Sequence, residues 1–334
     1  MTFAKAILAV DGTRAVAAFR VFAEDAERPV EPHGDGIRIG LMTGCLVVEP
    51  RGKDTAITID ATDAVGLQLI RDTLVERLAG MGLVPDWQED LAGKKPGNQA
   101  LARVAGVTRI SPSYSRVVIE GDELGRFAAE PLHFRLLMGP AGAPWPVTDE
   151  TGATDWPGGI GQWHRPVYTT REAEPTRQGT RLSFDVFRHD GGRVTTWCDR
   201  VGPGDEIALT GPGGSGYPAP VGWLGLVGDE TGMPVMARIL SVLPRDARGA
   251  AAIVVPHSED IQKIPHPDGV TLRWCIRSKG ETPMSALAGL PFPESDRYIF
   301  FAAERSEAEQ ARKWLAERGF RKGESRTAAY WAAA

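Results

Sequence analysis

LGLVGDETGMPVMARIL, residues 224–240, is the stretch whose reading decides the fold. An apolar strand ends at Gly228, Asp229–Glu230–Thr231 forms a turn at its carboxyl end, and Met233 with Pro234 opens a helix. A strand that feeds a helix directly is the first half of a βαβ unit. The pattern continues through the strands AAIVVP, TLRWCIR and YIFFAA and the helix SEAEQARKWLAERG, so a parallel, doubly wound sheet is expected over 222–334. Ligands of such sheets sit outside the carboxyl ends of the strands, which makes Asp229, Glu230 and Thr231 candidate binding residues. No GxGxxG is present, so the ordinary dinucleotide fingerprint is absent.

Upstream the character changes. RVAGVTRISP, SRVVIEG, HFRLLMGP, RLSFDVFRHDGG and DEIALTGPGG are short β-like runs between turn residues, and their spacing predicts an antiparallel barrel over 100–218. One short helix is expected there, at Val194–Val201. LAGKKPGNQA, 91–100, reads as an exposed linker. Before it, alternation at Ile37–Ile39, Cys45–Val47 and Ala56–Ile59 and a helical stripe over Ala64–Leu78 predict a small α+β domain, residues 1–95.

The 334 residues carry a formal charge of −5, with 42% hydrophobic and 24% charged residues, as in an ordinary globular protein of two or three domains. This balance argues against nucleic acid or an anionic membrane as partner. The three cysteines are too few for an iron–sulfur cluster, and their odd number disfavours a secreted disulfide framework. No histidine spacing marks a metal site, and no GxSxG marks a hydrolase. Asp11 and Arg14 interrupt the apolar start before a signal-peptide core or membrane span is complete, so a cytoplasmic protein without membrane insertion is expected.

Two segments of the expected barrel carry chemistry. HRPVYTTR, 164–171, offers a tyrosine ring, hydroxyl donors and two guanidinium groups where the barrel turns a corner, a set suited to a flavin and its pyrophosphate. A surface strand with solvated arginines is the alternative. In GGRVTTWCDRVGPGDEIALTGPGG, 191–214, Thr195 and Thr196 stand near the first turn of the short helix, where phosphate is readily held; simple turns are again the alternative.

A barrel followed by a parallel α/β domain is the layout of flavin reductases of the ferredoxin-reductase type. The residues go further. GDETGMP at 228–234, AAERSEAEQARKWLAERG at 302–319, the ending AAYWAAA, WCDRVGPGDEIALTGPGG and HFRLLMGP resemble, in order, motifs of the siderophore-interacting protein family, FAD-dependent ferric-siderophore reductases. Here Arg165 stands three positions before Tyr168, with Pro166 where the family carries arginine, Trp331 is followed by alanine, and Arg135 replaces a lysine. Residues 3–90 are more weakly similar to a small uncharacterised domain that carries histidines in its helices; this segment keeps only His33, outside them, so a packing or docking module without metal is expected there.

The resemblance implies a multidomain, ferredoxin-reductase-like chain: a small α+β domain, an antiparallel β-barrel flavin domain and an α/β parallel-sheet nicotinamide domain. It implies FAD as cofactor, NADH or NADPH as electron donor and a ferric siderophore as substrate, since a flavin divides a hydride pair into single electrons for Fe(III). Arg165, Tyr168, Thr169, Thr170 and Arg171 would hold the flavin, and His189, Gly192, Thr195 and Trp197 the phosphate and adenine side. Asp229, Glu230, Thr231, Ala303 and Glu304 would meet the nicotinamide dinucleotide, while Tyr330 and Trp331 would cover the flavin or simply pack a core. Arg135, Arg277 and Lys279 would form a positive rim for an anionic chelate. No catalytic acid or base and no protein metal ligand is expected, and the chain should be a monomer or weak dimer. Two other readings stand beside this one: a redox-inactive, degenerate binding protein and a general NAD(P)H flavin reductase. The lack of arginine near His257 and Ser258 favours NADH.

Overall fold

The computed structural model describes residues 2–333. The chain opens with strand β1 (Thr2–Leu8), then helix α1 (Gly12–Asp25), whose N-terminus is capped by the Asp11 carboxylate accepting from the Arg14 N–H at 3.0 Å. Strands β2 (Val30–His33), β3 (Gly36–Leu41), β4 (Gly44–Arg51) and β5 (Asp54–Ala61) follow, then helix α2 (Ala64–Gly80) and the short β6 (Asp86–Trp87). The six strands form one antiparallel sheet in the order β2-β3-β4-β5-β1-β6. Phe19 and Ala23 of α1 and Leu67, Ile70, Leu74 and Leu78 of α2 pack on Ile37, Ile39, Val48, Ile57 and Ile59. Period-2 strands and a period-3.6 stripe thus share one core, as their patterns predict. Residues 91–100 correct the expectation of an exposed linker. Leu91, Pro96, Asn98, Gln99 and Ala100 are buried, and Gln99 already begins the next strand.

The second sheet is built from β7 (Gln99–Ser111), β8 (Tyr114–Gly121), β9 (His133–Leu137), β12 (Val167–Thr169), β13 (Glu172–Thr176), β14 (Gly179–Phe187) and β15 (Glu206–Gly213); a separate hairpin, β10 (Val147–Thr148) with β11 (Thr154–Asp155), lies between β9 and β12. The order is β12-β9-β15-β7-β8-β14-β13, and β12–β9, β7–β8, β8–β14 and β14–β13 pair antiparallel. Its two edge strands, β12 and β13, are separated in the chain by Thr170 and Arg171 alone. A sheet whose opposite edges are tied by two residues has to curl round on itself, which gives the barrel-like form. Helix α3 (Arg193–Cys198) takes up most of the span expected to be helical.

The last part is parallel: β16 (Trp223–Gly228), helix α4 (Met233–Val242), β17 (Gly249–Val255), β18 (Val270–Ile276), helix α5 (Pro283–Ala288), β19 (Arg297–Glu304), helix α6 (Arg305–Glu317) and β20 (Ser325–Trp331). The strand order is β18-β17-β16-β19-β20 with every pair parallel. β16 is flanked on both sides and buried on both faces, which is why it reads as an unbroken apolar run. Among the described residues no helix is long and apolar enough to cross a membrane.

By packing, the chain forms two compact units. One holds the residues up to Ala100 with Leu136–Pro166 and Ala208–Gly211; the other holds Leu101–Arg135, Val167–Ile207 and the chain from Pro212 onward. Inside the first unit, α2 grips the β10–β11 hairpin. Asp72 Oδ1 accepts the Thr154 N–H at 2.8 Å and its hydroxyl at 3.0 Å, Gln68 Nε2 donates to the Gly152 carbonyl at 2.9 Å, and Trp87 Nε1 donates to the Thr151 carbonyl at 2.6 Å. Burial raises the Asp72 pKa, against the pull of these hydrogen bonds. Gly152 has φ +80°, and a Cβ there would lie 2.7 Å from Leu91 Cδ1, so only glycine fits under the grip.

Candidate functional site

The parallel sheet has its switch point at β16. From β16 the chain steps outward through β17 to β18, then returns to the other side of β16 as β19 and β20. Adjacent crossovers leaving in opposite directions open a crevice above the carboxyl ends of β16 and β19, where ligands of this architecture sit. The residues at that crevice are Asp229–Thr231 after β16 and Ala303–Glu304 at the end of β19. α4 starts close over it because Gly232 has no side chain; a Cβ there would lie 2.6 Å from the Ala302 carbonyl oxygen.

Asp229 is fully buried. Its Oδ1 accepts from the Thr231 N–H at 2.8 Å, the Thr231 hydroxyl at 2.7 Å and the Gly232 N–H at 3.1 Å, and its Oδ2 accepts from Trp331 Nε1 at 2.7 Å. Burial raises its pKa, while the Trp331 and Thr231 hydrogen bonds counter that rise by favouring the carboxylate. Asp229 therefore shapes the turn and anchors the C-terminal strand. Glu230, also buried, takes Arg277 in a two-pronged ion pair, Nε to Oε1 at 2.5 Å and Nη2 to Oε2 at 2.8 Å. Arg277, expected on a positive rim, is instead committed to Glu230, because a buried carboxylate without a cation is costly. Lys279 is exposed two residues further on, and Arg135 is exposed on β9 opposite Val167. Glu304 caps α6, accepting the Ser306 N–H at 2.6 Å, and also accepts the Ala333 N–H at 3.2 Å; Ala303 is fully buried.

On the antiparallel side, β9 and β12 pair so that His133 stands opposite Thr169. Cross-strand partners share a face, and His133 Nδ1 lies 3.0 Å from the Thr169 hydroxyl. His133 Nε2 lies 3.4 Å from the Tyr330 hydroxyl, and the two rings meet edge to face at 5.9 Å. Burial, and then the charge of Arg326, lower the His133 pKa to about 4, so the imidazole is neutral at physiological pH. Gly214, at φ +80°, lies against this ring; a Cβ there would come within 2.7 Å of His133 Cδ2. The last strand thus touches both sides, with Tyr330 at His133 and Trp331 at Asp229.

Tyr168 points to the opposite face from Thr169 and packs its ring against Phe184 at 5.1 Å and Phe134 at 6.4 Å. Thr170 is buried, its N–H donating to the Leu132 carbonyl at 3.2 Å. Arg171, expected at a pyrophosphate, is enclosed: Nε lies 3.1 Å from Asp185 Oδ2, an ion pair without hydrogen-bond alignment, and Nη1 donates to the Pro234 carbonyl at 3.5 Å. Arg116 holds the same fully buried Asp185 carboxylate at 2.7 and 3.0 Å. Arg165 stacks over Trp156 at 4.9 Å, inside the first compact unit. At α3, His189, Gly192 and Thr195 do come together. The His189 N–H donates to Thr195 Oγ1 at 3.3 Å, and a Cβ on Gly192 would fall 2.8 Å from that oxygen and 2.9 Å from His189 Nε2. Trp197 is half-buried on the same helix.

The comparisons with known proteins agree with this division. Residues 103–216 match the family model described as the siderophore-interacting FAD-binding domain, and residues 221–334 match that of the siderophore-interacting protein. The chain belongs to the siderophore-interacting protein family. Among similar proteins of this kind, the NADPH-dependent ferric-chelate reductase of Escherichia coli is 28% identical over 238 residues, 68% of this chain and 91% of that one. The ferric vibriobactin reductase ViuB of Vibrio cholerae is 30% identical over 162 residues, 46% of this chain and 59% of that one. The crystal structure of the siderophore-interacting protein SipS from Aeromonas hydrophila superposes with a TM-score of 0.59 at 28% identity, over 70% of this chain and 92% of that one.

The residues in the family's FAD-binding segment fit that cofactor. Gly192 lies too close to Thr195 and His189 to carry a side chain, so α3 begins in bare backbone with no side-chain cap, and Thr169 and neutral His133 supply uncharged hydrogen-bonding groups beside the aromatic Tyr330. His133 escapes a reading of the sequence because it becomes part of the site only through strand register. HFRLLMGP signals a strand; nothing in it says that its first residue faces Thr169.

Proposed function

We propose that this protein is an FAD-dependent ferric-siderophore reductase, passing electrons from NADH or NADPH through FAD to chelated Fe(III) and releasing Fe(II). One observation carries the reading: β20 bridges the two halves of the site, its Tyr330 meeting His133 of the flavin-binding sheet and its Trp331 meeting Asp229 at the mouth of the parallel sheet. Flavin and nicotinamide chemistry need adjoining sites, and this strand defines where they adjoin. The names of the E. coli and Vibrio cholerae relatives support the ferric-chelate substrate.

Bound FAD supplies the exchange between two-electron and one-electron transfer. The chain's own work is orientation. Thr169, held by His133, supports the isoalloxazine side, with the Tyr168 ring packed behind it on Phe184 and Phe134, while His189, Gly192, Thr195 and Trp197 line the phosphate and adenine side. Thr231, Ala303 and Glu304 meet the nicotinamide dinucleotide. Tyr330 and Trp331 cover the flavin side and exclude water until the donor arrives. Asp229, Glu230 and Arg171 act from behind by fixing the turns and strands. Arg135 and Lys279, both exposed, would meet an anionic chelate. Residues 1–95 form an accessory domain whose α2 steadies the hairpin between β9 and β12.

The test is the visible spectrum of the purified protein with added FAD, followed by anaerobic NADH or NADPH and then a ferric siderophore. Flavin bands that bleach with the donor and return as ferrous iron appears are the expected result. Failure to bind FAD at micromolar concentration refutes the proposal, and equal rates with free flavins or ferricyanide refute its siderophore part.

A further inference from the structure

Two acceptors at the mouth of the parallel sheet are held by donors from the antiparallel sheet. Asp260 closes the short helical turn Ser258–Asp260 that follows β17. Its carboxylate is fully buried, and its donors come chiefly from the tip of the β7–β8 hairpin: Ser111 Oγ at 2.7 Å and the Ser113 N–H at 2.8 Å reach Oδ1, and Ser113 Oγ reaches Oδ2 at 2.8 Å. The turn's own His257 N–H adds a bond at 3.3 Å. One residue along, the fully buried Tyr114 donates its hydroxyl to the Glu230 carbonyl at 2.8 Å, in the turn after β16. β16 and β17 are neighbours, with Gly228 beside Ile253, so these two turns stand side by side above the crevice.

The geometry points to the hairpin tip Ser111–Tyr114 as the positioning element of the dinucleotide crevice, setting where the turns after β16 and β17 present their polar groups to the ribose and pyrophosphate of a nicotinamide dinucleotide. This rests on the nicotinamide reading given above. Within the turn after β17, His257, Ser258 and Glu259 are exposed and Asp260 alone is buried. A turn with no apolar anchor stands where its one buried residue is held, and here the holder is the hairpin. A buried carboxylate cannot be drawn from its donors without a large desolvation cost, so turn and hairpin move as one body. The other contact is equally fixed. The Tyr114 ring belongs to the core of Leu226, Met233 and Ile253 and leans on Phe187 at 5.6 Å, and burial followed by the charge of Glu230 raises its pKa well above the usual value, so the phenol stays a donor. The spacing of the two turns is thereby inherited from the flavin-binding sheet. These are positioning residues; they act on the dinucleotide through the turns.

Ser113→Ala removes one hydroxyl and leaves the hairpin backbone intact; Tyr114→Phe removes the other link. With FAD-loaded protein, the Kd of ADP-ribose and of NAD⁺ is measured by calorimetry beside steady-state kinetics with NADH and NADPH. Losing a hydrogen bond of this kind raises both Kd values and the donor KM roughly tenfold, while kcat and the FAD Kd hold within about twofold. Unchanged Kd and KM in Ser113→Ala, with only a lower melting temperature, overturn the inference and leave the hairpin a packing contact. Should Tyr114→Phe fail to fold, Ser113→Ala alone decides. A wild-type protein that binds none of ADP-ribose, NAD⁺ and NADP⁺ removes the nicotinamide reading and this inference with it, and that result is seen before any variant is made.

Discussion

Replacing His133 by glutamine should take away much of the acid sensitivity of this fold. The imidazole is buried between Thr169 and Tyr330, and its pKa is held at about 4 against 6.5 for a free histidine. Because the folded value is the lower, the unfolded chain takes up the proton first as pH falls, and stability is lost progressively from about pH 6.5 down to about 4. Each tenfold in proton affinity is worth about 1.4 kcal/mol, so the full effect is roughly 3 kcal/mol, of which about 2 kcal/mol falls between pH 7 and pH 5. Glutamine retains hydrogen-bonding groups at the site and does not titrate. Urea unfolding of wild type and His133→Gln at the two pH values gives a double difference in which every other titrating group cancels. A value near 2 kcal/mol, with wild type the more acid-sensitive, is expected. A double difference below about 0.5 kcal/mol refutes the claim that His133 is buried in the neutral form.

Trp331→Phe keeps a ring but removes the N–H that reaches Asp229; a hydrogen bond to a carboxylate is worth about 1.5–3 kcal/mol, and with Trp331 43% exposed the lower end applies. The Kd of NAD⁺ should fall up to about tenfold as the cover loosens, and a rise instead would make Trp331 part of the binding surface. Gly214→Ala forces a side chain into the His133 ring at a positive φ, and should weaken FAD retention on gel filtration without altering the fold seen by circular dichroism. Asp72→Ala leaves the Thr154 N–H and hydroxyl without their acceptor at a cost of about 1–3 kcal/mol. Limited proteolysis in the exposed stretch Gly158–Gln162 should then accelerate, and an unchanged cleavage rate would show that α2 does not steady the hairpin.

The parallel sheet was legible because its buried strands are continuous apolar runs and its helices have one apolar stripe. GDETGMP located the end of β16, and α2 runs from Ala64 to Gly80 where periodicity predicted Ala64 to Leu78. At 91–100 glycine, proline and lysine signalled a break in secondary structure, correctly, but said nothing about burial. The arginines were the hardest to read. A guanidinium suits a phosphate or a carboxylate equally, so sequence could not show that Arg277 would meet Glu230, that Arg171 would meet Asp185, or that Arg165 would lie on Trp156.

The tetrapeptide Asp-Glu-Thr-Gly occurs twice, at 149–152 and at 229–232. Both copies fold alike: the first aspartate accepts from the N–H of the threonine two residues on, at 2.8 Å in each case, and from its hydroxyl at 2.6 Å in one and 2.7 Å in the other. That turn is local, and the sequence alone determines it. The first copy is gripped by Gln68 and Trp87; the second closes β16 at the switch point and receives Tyr114 and Trp331. No local signal separates them, because the donors that decide their fates lie from 64 to 116 residues away in the chain and arrive only when the sheets assemble.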